Sequence, residues 1–100
     1  MVNPMRVKDA IERNLKEALR PRRLEIEDES HRHAGHAGAR PQGESHFRLT
    51  VVADSFEGKS RIERQRMVYA ALKELMESRI HALAMTTLSP AEDGERQSPV

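Results

Sequence analysis

The sequence predicts a small α+β domain: one three-stranded sheet with helices packed on one face. Three observations lead there. Apolar residues recur every three to four positions in two stretches, one before Pro21 and one after Ser60. They alternate with polar residues in three short runs, near residues 24–27, 46–53 and 80–86. The resulting order is helix, strand, strand, short helix, long helix, strand, which lets both amphipathic helices cover the same sheet.

The first helix has Asn3 as its cap and Pro4 in its first turn. Val7, Ile11 and Leu15 form its stripe, widened by Ala10, Ala18 and Leu19, and Pro21 stops it. In the first strand Leu24 and Ile26 alternate with Glu25 and Glu27. Residues 30–43 hold three glycines, Pro41 and three histidines with no hydrophobic period, so they read as a long loop of the kind that often carries function. His46 to Ala53 is the second strand, with Phe47, Leu49 and Val51 on one face, and it should pair antiparallel with the first.

Asp54 to Lys59 reads as a turn with a short helical piece around Phe56. Ser60-Arg61-Ile62-Glu63 is a capping box. It opens a helix running to about Ser78, whose stripe is Val68, Ala71, Leu72, Leu75 and Met76 with Met67 beside it. The last strand, Ile80 to Thr86, places His81 on the face of Leu83 and Met85. Residues 1–88 form the domain. Residues 89–100 are polar, contain Pro90, Gly94 and Pro99, and are expected to be a disordered tail.

Composition excludes several classes of function. Seventeen basic and sixteen acidic residues give a net charge of +1, too balanced for strong phosphate neutralisation. The aromatics are Phe47, Phe56 and Tyr69, which make no base-stacking platform. Charge is nonetheless uneven, basic from Arg6 to Arg23 and acidic from Glu25 to Glu29. With no cysteine there is neither a disulfide nor a thiolate nucleophile. No apolar run approaches the ~20 residues of a membrane span. Met1-Val2-Asn3-Pro4 lacks a signal-peptide core, so a cytoplasmic protein is expected. No nucleophile-elbow motif surrounds Ser30 or Ser45, and Asp28 and Glu29, adjacent on a strand, face opposite ways. The chain reads as a non-enzyme.

Two groups of residues remain. His31, His33 and His36 form H-x-H-x-x-H in the glycine-containing loop, either a solvated polar segment or a set of metal ligands; His46 and His81 stand apart. Gly58-Lys59-Ser60-Arg61, with Arg64 and Arg66, is either a capped, solvated helix start or a phosphate-binding one.

Taken together, Leu24-Glu25-Ile26-Glu27-Asp28-Glu29-Ser30, Glu44-Ser45-His46-Phe47, Phe56-Glu57-Gly58-Lys59-Ser60, Arg64-Gln65-Arg66-Met67-Val68-Tyr69, Ile80-His81-Ala82-Leu83-Ala84 and Ser89-Pro90 make the chain resemble the BolA family over about residues 5–92. The resemblance implies a KH-like (type II) αββααβ fold. It places Gly58 to Arg61 where a nucleic-acid-binding KH domain has G-x-x-G, of which this chain keeps the first glycine. It also implies a monothiol glutaredoxin partner and a shared [2Fe–2S] cluster, in cluster trafficking or iron regulation. The family's histidine near the last strand matches His81, and its loop ligand matches His33, with His31 and His36 as alternatives. Gln65 stands where the family often has histidine, so no ligand is assigned there.

Such clusters normally take thiolates, though two histidines can replace two of them on one iron. This cysteine-free chain should hold no cluster alone. It would add imidazole to one whose thiolates come from the glutaredoxin and its glutathione. The competing readings are a DNA-binding transcriptional regulator, with weak DNA binding through the KH-like face, and a zinc- or copper-binding loop without a partner. The free chain is expected to be a monomer or weak dimer.

Overall fold

Val7, Ile11 and Leu15 are all buried, on the stripe that their four-residue spacing predicts. They belong to α1 (Val7–Leu19), the first element of a computed structural model that describes residues 6–29 and 46–97. Asn3 and Pro4, the expected cap and first turn, lie outside the described residues; Arg6 stands at the cap position, and its side chain does not cap the helix. The helix stops at Arg20, which takes a left-handed φ of 48° and donates its N–H to Lys16 O at 3.1 Å, just before Pro21.

β1 (Arg23–Asp28) and β2 (His46–Val52) pair antiparallel, from Arg23 opposite Val52 to Asp28 opposite Phe47. β3 (Ala82–Leu88) lies on the other side of β2 and runs parallel to it, from His46 opposite Ala82 to Val52 opposite Leu88. The sheet order is therefore β1-β2-β3 with β2 in the centre. A parallel pair needs a crossover. Here it consists of a 3-10 turn at Asp54–Phe56, then α2 (Arg61–Ala71) and α3 (Lys73–Ser78). Phe47, Leu49 and Val51 of β2 meet α1, Phe56, Val68, Leu72 and Ile80 in one core. The α+β class and the helix-and-sheet arrangement agree with the sequence reading.

Three boundaries differ from it. The long helix is two helices. At Leu72 the backbone leaves α geometry (φ −109°, ψ 14°) and its N–H is shared between Val68 O and Tyr69 O, at 3.1 and 3.2 Å. No glycine or proline marks the break, and the apolar spacing runs through it because Leu72 itself remains in the core. The last strand begins and ends two residues later than expected, at Ala82–Leu88. Ile80 is buried and donates its N–H to Leu75 O at 2.8 Å, so it closes the helix rather than opening the strand.

The third difference concerns the tail. The stretch expected to be disordered forms α4 (Pro90–Gln97). Ser89-Pro90-Ala91-Glu92 is a second capping box: Ser89 N–H donates to Glu92 Oε1 at 2.8 Å and Glu92 N–H to Ser89 Oγ at 3.3 Å. Long-range ion pairs hold the helix down. Arg23 donates to both Asp93 oxygens, at 2.5 and 3.2 Å, and Arg64 donates to Glu92 at 2.6 Å. A polar segment with little to bury is thus docked by charge. Among the described residues no helix is long and apolar enough to cross a membrane.

Candidate functional site: two histidines at the head of the sheet

β1 ends where β2 and β3 begin, so one end of the sheet gathers the close of one strand and the start of two others. Glu29 N–H donates to His46 O at 2.8 Å. That bond ties together the two described ends of the segment 30–45. His46 opens β2 and pairs in register with Ala82. His81 precedes Ala82 in a bend and is exposed, while His46 is half-buried. Their rings stand edge to face, centres 6.1 Å apart and planes at 83°. Glu29, His46, Phe47, Ala82, Leu83 and Ala84 line a shallow depression of about 320 Å³ beside them.

The charge around this depression is mixed. Glu29 accepts a hydrogen bond from Arg48 Nε at 3.0 Å, and that bond raises the Arg48 guanidinium above its usual value. His81 is therefore not a residue within the strand, as its alternation suggested. The bend frees it from the core-facing side of Leu83 and Met85 and sets it against His46. His31, His33 and His36 lie outside the described residues. Among those described, no three His, Asp or Glu side chains are close enough to form a metal cluster. Sequence reading assigned no role to His46. Its place at the start of the second strand was legible in the sequence; its neighbour across the β2–β3 ladder was not.

The basic candidates separate. Gly58 has φ +74° in the tight turn before α2, and Lys59, Ser60, Arg61 and Arg66 are exposed. Ser60 and Glu63 satisfy each other: Glu63 N–H donates to Ser60 Oγ at 3.1 Å and Ser60 N–H to Glu63 Oε1 at 2.8 Å. The Ser60 amide bond, followed by the Ser60 hydroxyl, holds the Glu63 carboxyl below its usual range. Two of the donors that a phosphate would use at this helix start are thus already engaged.

Arg64 departs furthest from its expected role. It is buried, donating Nε to Phe56 O at 3.1 Å and Nη1 to Thr87 O at 3.2 Å and to Glu92 at 2.6 Å. Its guanidinium carbon lies 5.8 Å from the centre of the Phe56 ring. The side chain is a structural tie among α2, β3 and α4. It lies one turn before Val68 on the inward stripe, and reading it as a surface charge missed that. Glu92 in turn has its carboxyl held low, first by the Ser89 amide and then by Arg64. Lys59, Arg61 and Arg64 face Glu92 across a groove along β3 that includes Thr86 and Thr87.

A family model described as BolA-like protein matches residues 15–92. The chain is 41% identical over 92 residues to "SufE-like protein 1, chloroplastic/mitochondrial" of Arabidopsis thaliana, covering 88% of this chain and 24% of that protein. It is 40% identical over 88 residues to "DNA-binding transcriptional regulator BolA" of Escherichia coli K12, covering 88% of this chain and 80% of that one. Among solved structures, BolA1 from Arabidopsis thaliana superposes with a TM-score of 0.78 at 35% identity, over 99% of this chain and 100% of that chain. Several curated relatives are longer proteins: the chain spans about a quarter of the SufE-like protein and 62% of the BolA-like protein 1 of Pongo abelii.

Proposed function

The chain belongs to the BolA-like family, and from that premise we propose that it is a non-enzymatic adaptor that binds a monothiol glutaredoxin and shares a [2Fe–2S] cluster with it. The observation that carries this reading is the exposed His81 beside His46, at the head of the sheet of a chain with no cysteine. Imidazole nitrogen is a ligand such a cluster accepts in place of thiolate. A donor set of histidines alone fits one half of a shared cluster and not a whole one. His81 is the central ligand. His33 is the loop ligand, with His31 and His36 as neighbours able to replace it. The glutaredoxin cysteine and its glutathione supply the thiolates. Cluster trafficking or iron regulation in the cytoplasm is the process this chemistry serves.

Mixing the chain with a cluster-loaded monothiol glutaredoxin tests the reading. Visible absorption and circular dichroism should change as a mixed complex forms. His81→Ala should abolish the new spectrum, and His33→Ala should alter it only in part. A spectrum identical with wild type and with His81→Ala removes the shared-cluster reading.

A second reading has one observation in its favour: the Escherichia coli relative is named a DNA-binding regulator. The KH-like face would serve it here through Gly58, Lys59, Ser60, Arg61 and Arg66. Arg64 is taken by Phe56, Thr87 and Glu92, and the amide of Ser60 by Glu63, so the phosphate-binding capacity of this face is small.

A further inference from the structure

We propose that His46 and His81 form a two-imidazole site for a divalent transition-metal ion such as zinc, bound by the chain on its own. Both backbones are held in place. His46 is fixed by its register with Ala82 and by the Glu29 N–H on its carbonyl, and His81 follows the buried Ile80, whose N–H is bonded to Leu75 O. The ring centres are 6.1 Å apart. Two imidazoles on one tetrahedral ion bring their centres to roughly 5 Å, given metal–nitrogen bonds near 2.0–2.1 Å, so the rings close by about 1 Å on binding. Small changes in the first side-chain torsion bring the rings together, and rotation about the last, which is broad in histidine, turns a nitrogen of each toward the shared point without moving the backbone.

Access fits this reading. His81 is exposed and His46 half-buried, so an ion can enter from solvent and keep water on its remaining positions. Asp28 closes β1 at the same edge, and Glu29 beside it is ion-paired with Arg48. Imidazole donors select zinc, copper or nickel over magnesium or calcium. An ion so held occupies His81, and the metal-bound chain and the cluster-sharing chain would then be mutually exclusive states. That consequence rests on the shared-cluster reading; the binding itself does not.

The test is titration calorimetry of zinc chloride into the chain without glutaredoxin, with His31, His33 and His36 all changed to asparagine so that the loop contributes nothing. One ion per chain should bind. His46→Asn and His81→Asn, each added to that background, should weaken binding at least tenfold. In the unsubstituted chain, long-range proton–nitrogen spectra should show the His46 and His81 ring nitrogens shifting together as zinc is added. That measurement decides the matter if either variant folds poorly. Absent binding in the loop-substituted chain, a loss under tenfold in His46→Asn, or ring nitrogens of His46 that ignore zinc overturns the site. A chain that binds zinc here and still forms no mixed cluster would refute the adaptor reading alone, and the converse result would refute the zinc site alone.

Discussion

At the scale of the residue, Arg64 and Gly58 show opposite uses of the same neighbourhood. Arg64 places a charge inside the fold, which is tolerable only because carbonyl oxygens and a carboxylate receive its protons. Arg64→Ala leaves the carbonyls of Phe56 and Thr87 without that donor. The expected cost is roughly 1–3 kcal/mol, seen as a lower urea midpoint. Gly58 is held at φ +74°, and a methyl group there would meet nothing within 4 Å. The cost of Gly58→Ala is thus backbone conformation alone, about 1–2 kcal/mol, while Gly58→Asn should cost less because asparagine tolerates the left-handed region. Equal losses for the two variants in urea unfolding would contradict this account.

At the scale of the element, the core stripe and the charge-docked helix behave differently. Leu72 lies at the break between α2 and α3 and has no exposed surface. Leu72→Ala should destabilise by roughly 2–5 kcal/mol in urea unfolding, as for other buried leucines. A loss under half a kcal/mol would mean that the crossover packs some other way. α4 responds instead to pH. Its Glu92 carboxyl is lowered in the fold from an ordinary value of 4.5, by the Ser89 amide first and Arg64 second. The folded form therefore binds this proton less readily than the unfolded form. The stabilisation is complete above pH 4.5 and is lost as pH falls through the lowered value. The protection of the Asp93 amide, bonded to Ser89 O at 3.0 Å, against hydrogen exchange relative to its intrinsic rate should fall in that window. Glu92→Gln should flatten the dependence, since glutamine can still accept from the Ser89 amide. Unaltered acid sensitivity in that variant would mean that Glu92 does not dock the helix.

At the scale of the whole molecule, balanced charge and absent cysteine set what the chain can do alone. Reconstitution with iron and sulfide should leave no [2Fe–2S] cluster on the isolated chain, judged by visible absorption after desalting. With a net charge of +1, duplex DNA should bind weakly and without sequence preference at about 150 mM salt. Sub-micromolar binding, lost in Lys59→Ala and Arg61→Ala, would make the regulator the leading reading.

How much of this was legible beforehand follows from where the determining contacts lie. Local patterns were enough for α1, β1, β2 and the Ser60 capping box, because period, cap and burial there depend on neighbours within a turn or a strand. The order and spacing of short motifs carried the family and singled out His81. Nothing local reveals that β3 runs parallel beside β2, so nothing local could bring His46 against His81. That contact joins residues thirty-five positions apart through the ladder alone. The same holds for Arg64 and α4. Read in sequence, Arg64 is one more basic residue at a helix start and Ser89 to Gln97 a polar tail. Only the folded arrangement sets Glu92 and Asp93 opposite Arg64 and Arg23, and those charges, distant along the chain and paired in space, fix the helix to the sheet.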